Sequence, residues 1–211
     1  MDAAFFRDWL TAAAAAVVTQ RDHLTQLDAA IGDADHGINM ARGFGAVSAA
    51  LEQKDTPTPG AVLTLAGSTL ISKVGGASGP LYGMALRSAG KALGDVPDAD
   101  LAALAAALEA ALAGVQKLGA AREGEKTMVD ALAPAVSALA KAVAEGAPAD
   151  GALAALAAAA QEGAQATISM QALKGRASYL GPRSVGHEDP GAASMALILG
   201  ALRDVAAQQA P

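Results

Sequence analysis

A chain of 211 residues is long enough to bury one sizeable core, and its net charge of −6 argues against a nucleic-acid-binding protein. Because the sequence contains no cysteine, disulfides, Cys-ligated zinc and thiol catalysis are excluded. Hydrophobic residues make up 53% of the chain but aromatic residues only 3%, and alanine, the best helix former, accounts for the difference. We therefore expect one cytoplasmic all-α domain over residues 1–211, with no signal peptide and no membrane span.

Hydrophobic spacing and turn residues predict four helices in the N-terminal half. The first carries Phe5 and Trp9 on its inner face. The second ends before the turn-forming stretch 55–60, and the third stops at the glycine pair 75–76. The four predicted ranges are about Ala3–Gln26, Ile38–Gln53, Ala61–Lys73 and Ser78–Leu93.

Four more helices are predicted in the C-terminal half. Leucines recur at three- and four-residue spacing in the fifth, which Asp98 or Asp100 caps. Pro134 lies inside the sixth and is expected to kink it. The eighth has Asp189 at its N-cap and Pro190 at its first position. The predicted ranges are about 98–118, 125–145, 148–173 and 189–207.

No segment has a convincing strand pattern, so the eight helices predict an all-α fold. Glycine-rich loops interrupt the chain at the starts of helices, over residues 32–37, 75–80, 119–124 and 181–191. One interpretation is that they are ordinary turns and helix C-caps. If they gather at one end of a helical bundle, they instead form a polar pocket lined with backbone N–H groups.

Three carboxylates, those of Asp28, Asp33 and Asp35, lie within eight positions just before the predicted second helix. Asp35 is a candidate helix cap and Asp28 a candidate solvated residue. Capping needs only one aspartate, however, and three close carboxylates repel one another unless a cation lies among them. Hard oxygen ligands suit Mg²⁺, and a helix N-terminus suits phosphate. The loop therefore predicts a metal–nucleotide site.

The commonest motifs for such a site are absent from the sequence. An EF-hand loop starting at Asp33 needs Gly at its sixth position and Glu at its twelfth, where this chain has Ile38 and Phe44. The stretch 124–127 lacks the adjacent Gly-Lys of a P-loop, and no GxGxxG follows a predicted strand. If the chain binds a nucleotide, it uses a less common scheme.

Five further residues have both a functional and a structural interpretation. His36 is a candidate phosphate ligand or general acid/base, and equally a loop residue paired with a neighbouring carboxylate. His187, which lies next to Glu188 and Asp189, has the same two interpretations, and the sequence decides less clearly between them. Arg176 either neutralises phosphate charge or forms a surface salt bridge, and Ser78 either donates to a phosphate or caps a helix. Met128 either packs on an adenine face or belongs to the core.

Five motifs in this order resemble the nucleotide-binding L subunit of dihydroxyacetone kinase. They occupy residues 31–40, 75–81, 126–130, 175–181 and 186–192. The resemblance covers about Leu27 to Ser194, with further likeness in the first helix. Glu125 departs from it, since the family pattern has Asp before Lys-Thr-Met.

The resemblance implies a fold and a set of ligands. The fold is an eight-helix antiparallel up-and-down barrel with ADP or ATP in the loops at one end, where two Mg²⁺ ions bridge aspartates and phosphates. The implied metal ligands are Asp28, Asp33 and Asp35. The implied nucleotide contacts are His36, Gly37, Ile38, Asn39, Ala77, Ser78, Gly119, Met128, Arg176, Asp189, Pro190 and Gly191.

The resemblance also implies partners. The dihydroxyacetone is held on a separate K subunit, and bound ADP is recharged by a phosphohistidine M subunit of the phosphotransferase system. The resemblance leaves open whether the chain also contacts a transcriptional regulator and whether it forms a homodimer. Two alternatives also stay open: an ATP-dependent stand-alone subunit that serves another small ketose, and a nucleotide-binding regulatory subunit.

Overall fold

Helices form nearly all of the regular structure in residues 1–209, the part of the chain that the computed structural model describes. The only β pairing in that part is an isolated bridge between Asp2 and Asp98, which confirms the all-α prediction. Two 3-10 helices, Thr167–Ser169 and Arg176–Ser184, lie between the last two α-helices. The α-helices are α1 (Ala3–Thr19), α2 (Arg21–Ile31), α3 (His36–Gln53), α4 (Pro59–Lys73), α5 (Ser78–Leu93), α6 (Leu101–Gly119), α7 (Val129–Ala144), α8 (Ala149–Ala166) and α9 (Pro190–Gln209).

The helices pack against one another in a cyclic order. Each helix from α3 to α9 contacts the next, α9 contacts α1, and α1 contacts α3, while α2 lies against α3 and α9. Phe6 and Trp9 of α1 are buried in the interior, where the Trp9 indole N–H donates to the Ile198 carbonyl of α9 at 2.8 Å. A closed order of neighbours supports the barrel that the resemblance implies.

The first predicted helix, 3–26, is wrong in its extent. The structure breaks it at Gln20, whose φ and ψ of −95° and 10° leave the helical region, and α2 then runs on to Ile31. The break lets α1 line the interior while α2 packs against α3. Asp28 consequently lies on a helix. No glycine or proline marks the break, so the local sequence gives no signal of it.

Two helix boundaries in the C-terminal half of the chain also differ from the prediction. The sixth helix begins at Val129 rather than Glu125, because Asp130 accepts the N–H groups of Gly124 and Thr127 and holds the intervening residues in a turn. The helix predicted over 148–173 ends at Ala166. The segment between α8 and α9 continues as 3-10 and irregular structure that periodicity does not predict.

Two helices, α6 and α9, are long and apolar enough to cross a membrane by length and composition alone. The expectation that no such segment exists was therefore too strict, because alanine raises hydropathy without marking a lipid-facing surface. The share of the most apolar window that is buried inside the protein is 61% in α9, as expected of a core helix, and 33% in α6.

Glycines let α4 and α5 approach closely. A Cβ at Gly67 would lie 2.6 Å from the Gly83 carbonyl oxygen and 2.9 Å from the Arg87 backbone nitrogen. We expect Gly67→Ala to lower the free energy of unfolding by about 1–3 kcal/mol, because two backbones must separate. Urea denaturation followed by the emission of Trp9, the only tryptophan, measures the change.

Gly45→Ala is the matched control. Gly45 lies within α3 and a Cβ there meets nothing within 4 Å, so alanine is expected to raise stability by about 0.5–1 kcal/mol. Effects of the same sign at both glycines would contradict the proposed role of close backbone packing.

Candidate functional site

The three predicted carboxylates form a cluster. One oxygen from each of Asp28, Asp33 and Asp35 lies within 4.8 Å of the others. Asp28 is buried near the end of α2, and its Oδ2 accepts the N–H groups of Asp35 at 2.8 Å and His36 at 3.1 Å. Asp28 therefore holds the start of α3, and Asp35, the expected cap, makes no side-chain capping bond.

The cluster fits a divalent cation. The Asp35 carboxylate is exposed and does not cap α3, while Asp33 Oδ2 accepts a charge-assisted bond from Arg176 Nε at 3.0 Å. One guanidinium cannot balance three carboxylates, so the site retains net negative charge. Oxygen donors at this spacing are the ligands that Mg²⁺ or Ca²⁺ takes in proteins.

A cavity of about 420 Å³ opens beside the carboxylates. This volume lies within the range of small-molecule sites, about 300–1,000 Å³. All four glycine-rich loops contribute to its wall, so the structure favours the pocket interpretation over ordinary turns. Twelve predicted site residues line it: Asp28, Asp33, Asp35, His36, Ala77, Ser78, Gly119, Met128, Arg176, Asp189, Pro190 and Gly191.

Three predicted nucleotide contacts lie outside this wall, on the first turn of α3. Ile38 is 51% exposed. Asn39 is buried and its Oδ1 accepts from Arg42 Nη2 at 2.7 Å. Gly37 packs against α2, where a Cβ would collide with the Arg21 carbonyl oxygen. Their contact with a nucleotide stays a prediction, and Gly37 has a sufficient packing reason for being glycine.

His36 lies in a buried hydrogen-bond network rather than in a pair with Asp35. Its Nδ1 is 3.2 Å from Ser78 Oγ, and its Nε2 is 2.8 Å from Ser194 Oγ. The Tyr82 hydroxyl lies 2.6 Å from Ser194 Oγ and 2.7 Å from the Gly191 carbonyl. Burial lowers the pKa of His36, with the charges of Asp28 and Asp35 opposing it, which favours a neutral ring that orients Ser78.

Sequence reasoning missed Tyr82 and Ser194. Each lies four positions after a predicted site residue, Ser78 and Pro190 respectively, and so one helical turn along the same face. That spacing was the available signal. Burial raises the pKa of the Tyr82 phenol, so the hydroxyl stays protonated and acts as a donor.

Asp189 caps α9 at the wall of the cavity. Its Oδ2 accepts the Ala192 N–H at 2.7 Å, and its own N–H donates to Thr167 Oγ1 at 2.9 Å. Burial raises the pKa of this carboxyl to about 7, since the bonds from backbone N–H groups only partly offset the loss of hydration. The carboxyl is therefore partly protonated near neutral pH.

Asp189→Asn tests this ionisation. A group whose folded-state pKa is raised stabilises the fold at pH values below its unfolded pKa, near 4, and loses that contribution as pH rises through about 7. The asparagine amide keeps an acceptor oxygen but does not ionise. We expect the variant to gain stability relative to the parent as pH rises from about 4 to about 7, with the difference levelling off above pH 7, as measured by urea denaturation. A stability difference independent of pH would contradict the raised pKa.

The chain is similar in sequence to a known domain family and to curated kinase subunits. The model of the DAK2 domain matches residues 30–204. A curated relative from Listeria innocua serovar 6a, the ADP-binding subunit DhaL of PEP-dependent dihydroxyacetone kinase 1, is 45% identical and covers 92% of each chain. The ADP-binding subunit DhaL of the Escherichia coli K12 enzyme is 42% identical over 91% of each chain.

A solved structure is also similar. The crystal structure of the dihydroxyacetone kinase from C. freundii in complex with AMP-PNP and Mg²⁺ matches with a TM-score of 0.73 and 29% identity. The match covers 97% of this chain and 34% of that one, so this chain spans about a third of the C. freundii kinase.

Proposed function

Because the chain belongs to the DAK2 domain family, we propose that it is the ADP-binding subunit of a dihydroxyacetone kinase. The observation that carries the proposal is the carboxylate cluster beside a cavity of about 420 Å³, at the loops of a helical domain. The DhaL relatives from L. innocua and E. coli match over nearly their whole length, and both are named as ADP-binding subunits.

Asp28, Asp33 and Asp35 are proposed to hold Mg²⁺, and two ions are expected. When bound, the ions neutralise phosphate charge and polarise the phosphoryl group. The similar C. freundii kinase was crystallised with AMP-PNP and Mg²⁺, which supports this pair of ligands. Asp28 also keeps the loop in shape through its bonds to the start of α3.

Two groups of residues in the cavity wall suit the two ends of a nucleotide. Ser78 lies at the first turn of α5, where free N–H groups and the helix dipole favour phosphate, and Arg176 supplies a cation nearby. Val115, Ala121 and Met128 are buried apolar residues of the wall and suit a base. Three other predicted contacts, Gly119, Pro190 and Gly191, also line the cavity and offer backbone groups to the ligand.

The phosphoryl acceptor is proposed to lie on a separate K subunit, with dihydroxyacetone as the substrate. Exposed apolar side chains are concentrated in the segment between α8 and α9 that also carries Arg176. Tyr179 is 88% exposed and Leu173 54%. Exposed aromatic and aliphatic groups beside a site suit a protein partner.

The proposed donor is a phosphohistidine M subunit of the phosphotransferase system, which recharges ADP that stays bound, in the cytoplasm. The relatives from L. innocua and E. coli are named as PEP-dependent enzymes, which supports this route. Free ATP is the competing donor, and another small ketose is the competing acceptor.

Reconstitution tests the proposal. The purified chain is mixed with a dihydroxyacetone-loaded K subunit and either a phosphorylated M subunit or ATP, and dihydroxyacetone phosphate is measured. Product with the M subunit, together with ADP released on denaturing the chain, supports the coenzyme route. Product with ATP alone supports the competing donor. No product with either donor, and no nucleotide bound in Mg²⁺, rejects the proposed function.

A further inference from the structure

Lys126 places a charged ammonium in the protein interior. The residue is 1% exposed, and its Nζ donates to the carbonyl oxygens of Thr167 at 2.6 Å, Met170 at 3.2 Å, and His187. Three N–H donors thus meet three acceptors. In residues 1–209 the ammonium forms no salt bridge, so backbone carbonyls alone bind it.

These three carbonyls lie at the two ends of one loop, residues 167–187, which we call the Arg176 loop. Its ends also bond directly, since the Gly186 N–H donates to the Ile168 carbonyl at 2.7 Å. Between the ends, the loop carries Arg176, whose Nε lies 3.0 Å from Asp33 Oδ2. The ammonium therefore closes the base of the loop, and the guanidinium lies at the metal cluster.

The turn that bears Lys126 is itself held in an uncommon conformation. Lys126 has a φ of +61°, in the left-handed region that costs a non-glycine residue about 1 kcal/mol. Asp130 fixes the turn on both sides of it, accepting the N–H groups of Gly124 at 2.5 Å and Thr127 at 2.7 Å. The strained turn keeps the lysine aimed at the base of the loop.

We propose that Lys126 is a positioning residue that holds the Arg176 loop over the metal–phosphate site. The inference deepens the proposed function and rests on it for the role of Arg176. Lys126 also lines the cavity, but its Nζ is engaged by backbone carbonyls and is not proposed to contact the nucleotide. It acts through three backbone carbonyls, which set where the loop begins and ends and therefore where Arg176 reaches.

Limited trypsin digestion tests the structural half, because cleavage after Arg176 and Arg183 reports opening of the loop independently of any activity. We expect Lys126→Met to speed cleavage at these two sites at least about 10-fold, since an apolar side chain removes the donor to the Met170 and His187 carbonyls and leaves the Thr167 carbonyl with only the Met170 N–H. Lys141→Met is the matched control: this lysine lies on α7, is mostly exposed and pairs only with Glu145, so cleavage should not change. Unchanged loop cleavage in Lys126→Met would overturn the proposal.

A double-mutant cycle with Arg176→Ala tests the functional half. If Lys126 acts through Arg176, Lys126→Met lowers kcat at least about 10-fold in the parent and less than about 2-fold in the Arg176→Ala background. Equal losses in the two backgrounds would show that Lys126 acts elsewhere and would overturn the proposal. ADP affinity in Mg²⁺ is measured for each variant to separate kcat from binding.

If Lys126→Met does not fold, as judged by Trp9 emission, the same two measurements are made on Lys126→Arg. That variant keeps the cation but changes the donor geometry, so we expect milder loop opening coupled to Arg176 in the same way. If Lys126→Arg shows no loop opening and no coupling to Arg176, the proposal is overturned. Failure of the parent chain to bind nucleotide would reject the proposed function while leaving the digestion result interpretable.

Discussion

Asp35→Asn is expected to lower Mg²⁺-dependent ADP affinity by at least about 100-fold. Removing an outer partner of a metal ligand already costs about 10–100-fold, and Asp35 is proposed as a direct ligand. Its substitution is also the easiest of the three to interpret, because it removes no other bond of the side chain. Asp28 holds the start of α3 and Asp33 pairs with Arg176, but the Asp35 side chain makes neither kind of bond.

Thermal unfolding measures the same loss. Ligand at 100 times its Kd stabilises the native state by about 2.7 kcal/mol, which for a chain of this size raises Tm by roughly 5–10 °C. The parent should show this shift with Mg²⁺ and ADP, and Asp35→Asn should not. Without ligand the variant should melt no lower than the parent, because one of three repelling charges is gone.

Glu109→Gln, which removes an exposed carboxylate on α6, is the control and should keep the full shift. An undiminished shift in Asp35→Asn would show that the cluster is a turn rather than a metal site.

Arg176→Ala is expected to reduce kcat of the reconstituted kinase by about 10²–10³-fold, the usual cost of removing one group that stabilises transition-state charge. In the free protein the guanidinium pairs with Asp33. If Asp33 ligates a cation, the Arg176 guanidinium would be free to neutralise charge on the phosphoryl group. Because the pair is largely exposed, with side chains 71% and 38% accessible, its loss should change stability by less than about 1 kcal/mol.

Product formation with the K subunit measures kcat, and urea denaturation measures stability. Arg203→Ala is the control: Arg203 lies on α9 and pairs with its neighbour Asp204, away from the cavity wall. An Arg176→Ala variant with parental kcat would remove Arg176 from the proposed mechanism.

The sequence alone was enough to predict the carboxylate cluster, because Asp28, Asp33 and Asp35 are close in the chain and only one aspartate is needed as a cap. Repulsion among local charges is a physical argument that requires no fold. The glycine-rich loops were also identified, and the cavity supports the pocket interpretation that the sequence left open beside ordinary turns.

The contacts of Lys126 were not predictable in the same way. They join a turn before α7 to carbonyls of the irregular segment before α9, and such pairing depends on how distant helices pack. The acceptors are also backbone carbonyls, which every residue has, so residue type does not identify them. The same applies to the break at Gln20, where tertiary packing rather than a glycine or proline divides one helical pattern into two.

Calorimetric titration of ADP into the nucleotide-free chain, with and without Mg²⁺, is the sharpest test of the proposed metal–nucleotide site. We expect one ADP site per chain, whose affinity depends on Mg²⁺ and falls sharply when the metal is chelated. Absence of binding in Mg²⁺, or an affinity that chelation leaves unchanged, would contradict a nucleotide site built on Asp28, Asp33 and Asp35.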